Sequence, residues 1–80
     1  MSAEKVDAGS QTLSRGLSAL ELIGASESRL SVAELGAALG IHRSMAYRLV
    51  KTLEQHGFVE REPSGALVLG TKVSTLARGV

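Results

Sequence analysis

One stretch, Leu30 to Glu60, reading LSVAELGAALGIHRSMAYRLVKTLEQHGFVE, leaves this chain few ways to fold. Ser31-Val32-Ala33-Glu34 is a capping box: the Ser hydroxyl accepts from the amide three residues on, while the Glu side chain reaches back to the cap amide. A helix is predicted to start after Ser31, with Val32, Leu35, Ala38 and Leu39 on one face, and Gly40 supplies the left-handed residue that commonly ends one. The turn that follows is very tight, because Ile41 and His42 already open the next helix. In that helix Ala46, Leu49, Val50 and Leu53 form an i, i+3, i+4, i+7 stripe, so Ser44, Tyr47, Arg48 and Lys51 point the other way, with Arg43 flanking them. Gly36, four residues before Gly40, suits a close crossing of the two helices, and Gly57 stops the second.

The rest of the chain fits around this pair. Residues 1–11 mix small, polar and charged types and read as a flexible tail. A first helix is predicted over residues 12–25, capped by Thr12, with Leu13, Leu17, Leu20 and Gly24 along its stripe and Leu22 and Ile23 widening it. Arg29-Leu30 is expected as a short strand. Phe58 to Glu62 and Ala66 to Leu69 read as two strands joined by the turn former Pro63-Ser64-Gly65, which makes a β-hairpin. Residues 71–80 resume helical spacing at Val73, Leu76, Ala77 and Val80, carrying a helix up to the last residue. Leu49 and Phe58 are expected in the core that seats the third helix. The fold class is mainly α with a small β-hairpin: a winged helix-turn-helix over residues 12–70, with a three-helix core and a two-stranded wing, followed at 71–80 by the start of a linker helix.

Charge distribution says more than total charge. Nine basic and eight acidic residues leave a formal charge of +1, less basic than expected of a nucleic-acid binder. Yet between Glu34 and Glu54 there is no acidic residue, while the interval holds His42, Arg43, Arg48 and Lys51. An anionic partner is the natural reading of that face, against the blander one of a solvated surface. An 80-residue chain buries roughly 60% of its unfolded surface, which argues against a deep catalytic cavity. It has no cysteine, so thiol nucleophiles and thiolate-bound zinc are excluded, and a reducing cytoplasm is the expected setting. His42 and His56 stand near opposite ends of one helix and do not share a metal, and no nucleophile, base and orienter are grouped. No cofactor and no enzymatic activity are expected. No apolar run reaches the ~18 residues of a membrane span, and MSAEKVDAGSQ has no apolar signal core.

A helix-turn-helix places its second helix in the DNA major groove, and the residues expected to act follow from that placement. Arg43 and Arg48 can pair bidentately with guanine or hold a phosphate. Ser44 and Tyr47 can donate to phosphates or base edges, and Met45 either packs on a thymine methyl or flanks the core. Lys51, further along, reaches the backbone. Ser31 caps its helix, whose first amides can also receive a phosphate. Ser64 and Gly65, at a wing tip without cations, reach toward the minor groove or its phosphates, with Arg61 at the base of the wing. The competing function is a winged helix used only for protein association, on which the fold alone is silent.

From Gln11 to Val80 the sequence resembles the IclR-type transcriptional regulators. QTLSRGLSALELI is similar to that family's opening helix, the Leu30–Glu60 stretch to its helix-turn-helix, and REPSGALVLGTKV to its wing and the LG beginning its linker helix. Two positions depart from the pattern: His42 stands where the family usually has Pro, and Met45 where it usually has Thr, removing a hydroxyl from the groove-facing helix. The resemblance implies an N-terminal, operator-binding domain of a bacterial or archaeal regulator. It also implies a larger C-terminal domain that binds a small-molecule effector and helps form homodimers or tetramers.

Overall fold

The computed structural model describes residues 9–27 and 29–80, so most of the expected tail lies outside the described residues. Four helices and a hairpin follow in the order α1 Gln11–Ala25, α2 Val32–Leu39, α3 Arg43–Gln55, β1 Val59–Arg61, β2 Leu67–Leu69 and α4 Thr71–Ala77.

The two helices of the central motif end by the same device. Gly40, at φ 72°, donates to the Ala37 carbonyl while Ile41 donates to that of Gly36. Gly57, at φ 83°, donates to Glu54 while Phe58 donates to Leu53. Each is a Schellman closure, which satisfies helix carbonyls that would otherwise lack partners and requires a left-handed residue. The capping box of α2 forms as expected: Ser31 Oγ accepts from the Glu34 amide at 3.1 Å and Glu34 Oε1 from the Ser31 amide at 2.9 Å. Where α2 and α3 cross, a Cβ on Gly36 would stand 3.1 Å from that of Ala46, a tight approach that the helices could meet only by a small shift.

Several boundaries differ from the sequence expectation. α1 starts one residue earlier, capped by Ser10, whose Oγ accepts from the Leu13 amide at 3.1 Å, and Thr12 lies within its first turn. His42 does not open α3 as a helical residue; it is extended (ψ 149°) and caps the helix, its Nδ1 accepting from the Ser44 amide at 3.1 Å. Arg29-Leu30 forms no strand, since Arg29 sits at φ 56°, and the segment keeps one sheet-like bond, from the Leu67 amide to the Leu30 carbonyl. The strands are three residues each, pairing Val59 with Leu69, Glu60 with Val68 and Arg61 with Leu67. α4 ends at Ala77 rather than continuing to Val80, and none of its residues is buried.

The core is small and aliphatic: Ala19 and Ile23 from α1, Val32 and Leu35 from α2, Ala46 and Val50 from α3, and Val59 and Leu67 from the hairpin. Leu49 is buried as expected, but Phe58 is only half-buried, because it sits over the groove beside α4. In α2 the buried set is Val32, Leu35 and Gly36, and Ala38 is exposed. α1 shows the largest departure: Leu13 and Leu17 remain 63% and 54% exposed, while Ile23 is buried as expected beside Ala19, and Leu20 and Leu22 pack against the core. The core is thus pinned under α3, leaving that helix's outer face free.

Candidate nucleic-acid interface

The stripe Ala46, Leu49, Val50 and Leu53 fixes the rotation of α3, and the opposite side emerges as a continuous polar face. Arg43, Ser44, Tyr47, Arg48 and Lys51 are all exposed on it. Among the described residues, the ion pairs are Arg29–Glu62 and Arg61–Glu54, so none of the cations on this face is neutralised by a carboxylate.

At the N-terminal end of α3 a shallow cleft of about 670 Å³ is lined by His42, Arg43, Ser44 and Tyr47. His42 organises it. Besides capping the helix, its Nδ1 lies 3.0 Å from Ser44 Oγ, so cap and serine form one local unit. Tyr47, 54% exposed, is held from the wing side: Arg61 Nη1 donates to its hydroxyl at 3.2 Å and the guanidinium carbon lies 5.1 Å from the ring centroid. Arg61 Nη2 also donates to Glu54 at 3.2 Å. The hydrogen bonds to Tyr47 and then Glu54 raise the guanidinium's pKa above its ordinary value, so Arg61 is a permanent cation whose charge is already engaged. The tyrosine hydroxyl accepts from Arg61 and keeps its own proton for a further acceptor.

The opposite flank of α3 was not foreseen. There Thr12 and Arg15 of α1 join Met45, Arg48, Leu49 and Thr52 of α3 around a cleft of about 150 Å³. Met45 is half-buried and its sulfur accepts from Arg15 Nη1 at 3.3 Å, which seats it as a flank of the core beside α1. Arg15 is the only basic residue in the α1 sequence, the one hint the sequence held, but nothing local reveals that it meets a helix thirty residues further on.

The remaining expected residues stand apart from both clefts. Ser31 has its hydroxyl occupied by the capping box. Ser64 Oγ accepts from the Ala66 amide at 3.3 Å at the wing tip, where the Gly65 amide donates to the Glu62 carbonyl to close the turn. The wing is tied down by Arg29–Glu62 on one side and Arg61–Glu54 on the other. Among the described residues no three His, Cys, Asp or Glu side chains are grouped to hold a metal, and no helix is long and apolar enough to cross a membrane.

Comparison with known proteins agrees with this geometry. The model of the IclR helix-turn-helix domain matches residues 12–63. The glycerol operon regulatory protein of Streptomyces griseus is 34% identical over 67 residues, covering 82% of this chain and 26% of that protein. The chain therefore spans about a quarter of that relative's length. The crystal structure of Thermotoga maritima IclR superposes with a TM-score of 0.79 at 28% identity, over 85% of this chain and 28% of that one. The Agobacterium tumefaciens repressor BlcR superposes with a TM-score of 0.81 over 94% of this chain and 30% of that one, at 24% identity, a likeness of fold.

Proposed function

The chain belongs to the IclR helix-turn-helix family and carries the DNA-binding domain of a transcriptional regulator; we propose that it reads an operator by laying the outer face of α3 in the major groove. Arg43 and Arg48 are the base-reading or phosphate-holding guanidiniums, Ser44 and Tyr47 donate hydroxyls, and Lys51 contacts the backbone at the receding end of the helix. The Met45 thioether offers an apolar edge to a thymine methyl only beside its contact with Arg15. The α2 amides behind Ser31 and the wing tip at Ser64 and Gly65 approach phosphates on either side. The carrying observation is that the outer face of α3 is cationic and unpaired among the described residues, while its inner face is fixed in the core.

The domain acts by binding rather than catalysis, in the cytoplasm. Helix-turn-helix proteins usually read two half-sites about one helical turn apart, so two copies pair to bind firmly, as a homodimer or within a tetramer. Exposed Leu13 and Leu17 on α1, with Leu76 and Val80 at the other end, are apolar surface available for pairing. A small-molecule effector acts through a larger C-terminal domain outside these 80 residues.

Titrations of two variants on specific and random duplexes test the groove assignment. Arg48→Ala is expected to lower operator affinity by ~1 to 3 kcal/mol and narrow the preference over random DNA. Lys51→Ala is expected to weaken both duplexes alike and flatten the salt dependence. An Arg48→Ala protein that binds the operator as the parent does removes α3 from the readout.

A further inference from the structure

We propose that Thr12, Arg15, Arg48 and Thr52 form a seat for a single DNA backbone phosphate on the α1 flank of the recognition helix. The proposal rests on the reading that the chain binds DNA, and adds to it a contact from α1, an element outside the helix-turn-helix.

Arg15 carries the argument. It is half-buried, and burial of a cation is unfavourable unless a counter-charge or full hydrogen bonding compensates. Its contact within the protein is the Met45 sulfur at 3.3 Å, a weak, uncharged acceptor, and among the described residues no carboxylate pairs with it. Arg48 lines the same cleft, so two basic residues border one hollow that no carboxylate lines. Such a lining favours entry of a negative group. Met45 meanwhile holds one Arg15 nitrogen in place, so little side-chain freedom remains to be lost when an anion binds, and the planar fork of an Arg matches a phosphate's paired oxygens.

Size selects the kind of anion. At about 150 Å³ the cleft is well below the ~300 to 1,000 Å³ of sites that enclose whole ligands, and suits one tetrahedral group. Thr12 and Thr52, both exposed, also line it and are hydroxyl-bearing residues. Position selects the source: the cleft lies beside α3 where that helix adjoins α1, so with α3 in the groove it faces the sugar-phosphate chain that borders it. Wing-side Arg61 is the contrasting case, since Glu54 and Tyr47 already occupy it.

The Arg15 contact carries no base information, so a mixed-sequence duplex tests it without knowledge of the operator. Fluorescence anisotropy across a salt series compares the parent, Arg15→Met, Arg15→Lys and Arg78→Met, the last removing the same charge from an exposed position after α4. The parent's log affinity is expected to fall linearly with log salt. Arg15→Met should bind several-fold more weakly at low salt and shrink the slope by about 0.9, the equivalent of one phosphate. Arg15→Lys should keep the slope, and Arg78→Met should stay near the parent. If Arg15→Met loses helicity by circular dichroism, Arg15→Gln takes its place, keeping an N–H for Met45 while losing the charge. A charge-removed Arg15 variant with the parent's slope overturns the seat, whatever its affinity, because lost packing alone leaves the slope unmoved. A parent with no salt-dependent binding overturns the DNA-binding reading and the seat together, whereas a steep parent slope matched by the Arg15 variant overturns the seat alone.

Discussion

The two flanks of α3 use the same residue type in opposite ways. On the wing side Arg61 is spent internally, bridging Tyr47 and Glu54, and with Arg29–Glu62 it fixes the hairpin against the helical core. On the α1 side Arg15 and Arg48 share a cleft with no carboxylate among the described residues to neutralise them. An arginine with a carboxylate partner positions structure; one without is available to an external anion. The contrast explains how a chain of formal charge +1 offers a basic surface: Glu54 and Glu62 pair with arginines on the wing side, and no acidic residue stands between Glu34 and Glu54.

The most drastic way to break the contrast is to remove the crossing on which both flanks depend. Leu35 is fully buried between α2 and its neighbours, and Leu35→Ala is expected to cost ~2 to 5 kcal/mol, enough to unfold much of a domain this small at ordinary temperature. Thermal denaturation by circular dichroism measures it; a melting curve superimposable on the parent's places the core elsewhere.

A smaller change sharpens the comparison by making the wing flank resemble the other. Glu54→Gln withdraws the carboxylate from Arg61, and is expected to tighten binding to mixed-sequence DNA and steepen the salt slope by up to about 0.9. An unchanged slope means that Arg61 is out of reach of DNA for reasons other than its partner. The smallest effect is on stability: the Arg61–Glu54 pair, with both side chains 28% exposed, contributes ~0.5 to 1 kcal/mol at most, so Arg61→Ala should shift melting only slightly while freeing the Tyr47 ring. Because Tyr47 is the sole tyrosine and tryptophan is absent, its fluorescence reports that release without labelling.

What was legible in the sequence was local. The Ser31 box, the Gly40 and Gly57 stops and the α3 stripe each act within a few residues, and the outward direction of Arg43, Ser44, Tyr47, Arg48 and Lys51 follows from the stripe alone. α1 was misread because Leu13, Leu17, Leu20, Leu22 and Ile23 wrap most of its circumference, so periodicity does not select a face. Docking selects it: small Ala19 allows close approach while Leu13 and Leu17 stay outside. The start of α1 slipped by one residue because Ser10 and Thr12 are rival caps within one turn, and α3 begins later than expected because His42 takes the cap position itself. The pairings that distinguish the flanks, Arg15 with Met45 and Arg61 with Tyr47 and Glu54, join residues on different elements, and no spacing rule reaches that far.

The central claim, that the α3 face and its α1 flank are where DNA docks, is tested most directly by titrating isotope-labelled protein with a mixed-sequence duplex and following backbone amides and arginine side chains by NMR. The largest shifts are expected over residues 43–52 and at Thr12 and Arg15, with Arg29 and Glu62 little affected. Shifts centred on α4 and the groove at Phe58, Val73 and Leu76, with α3 unperturbed, would contradict the account and mark the domain as one that binds through its apolar edge instead.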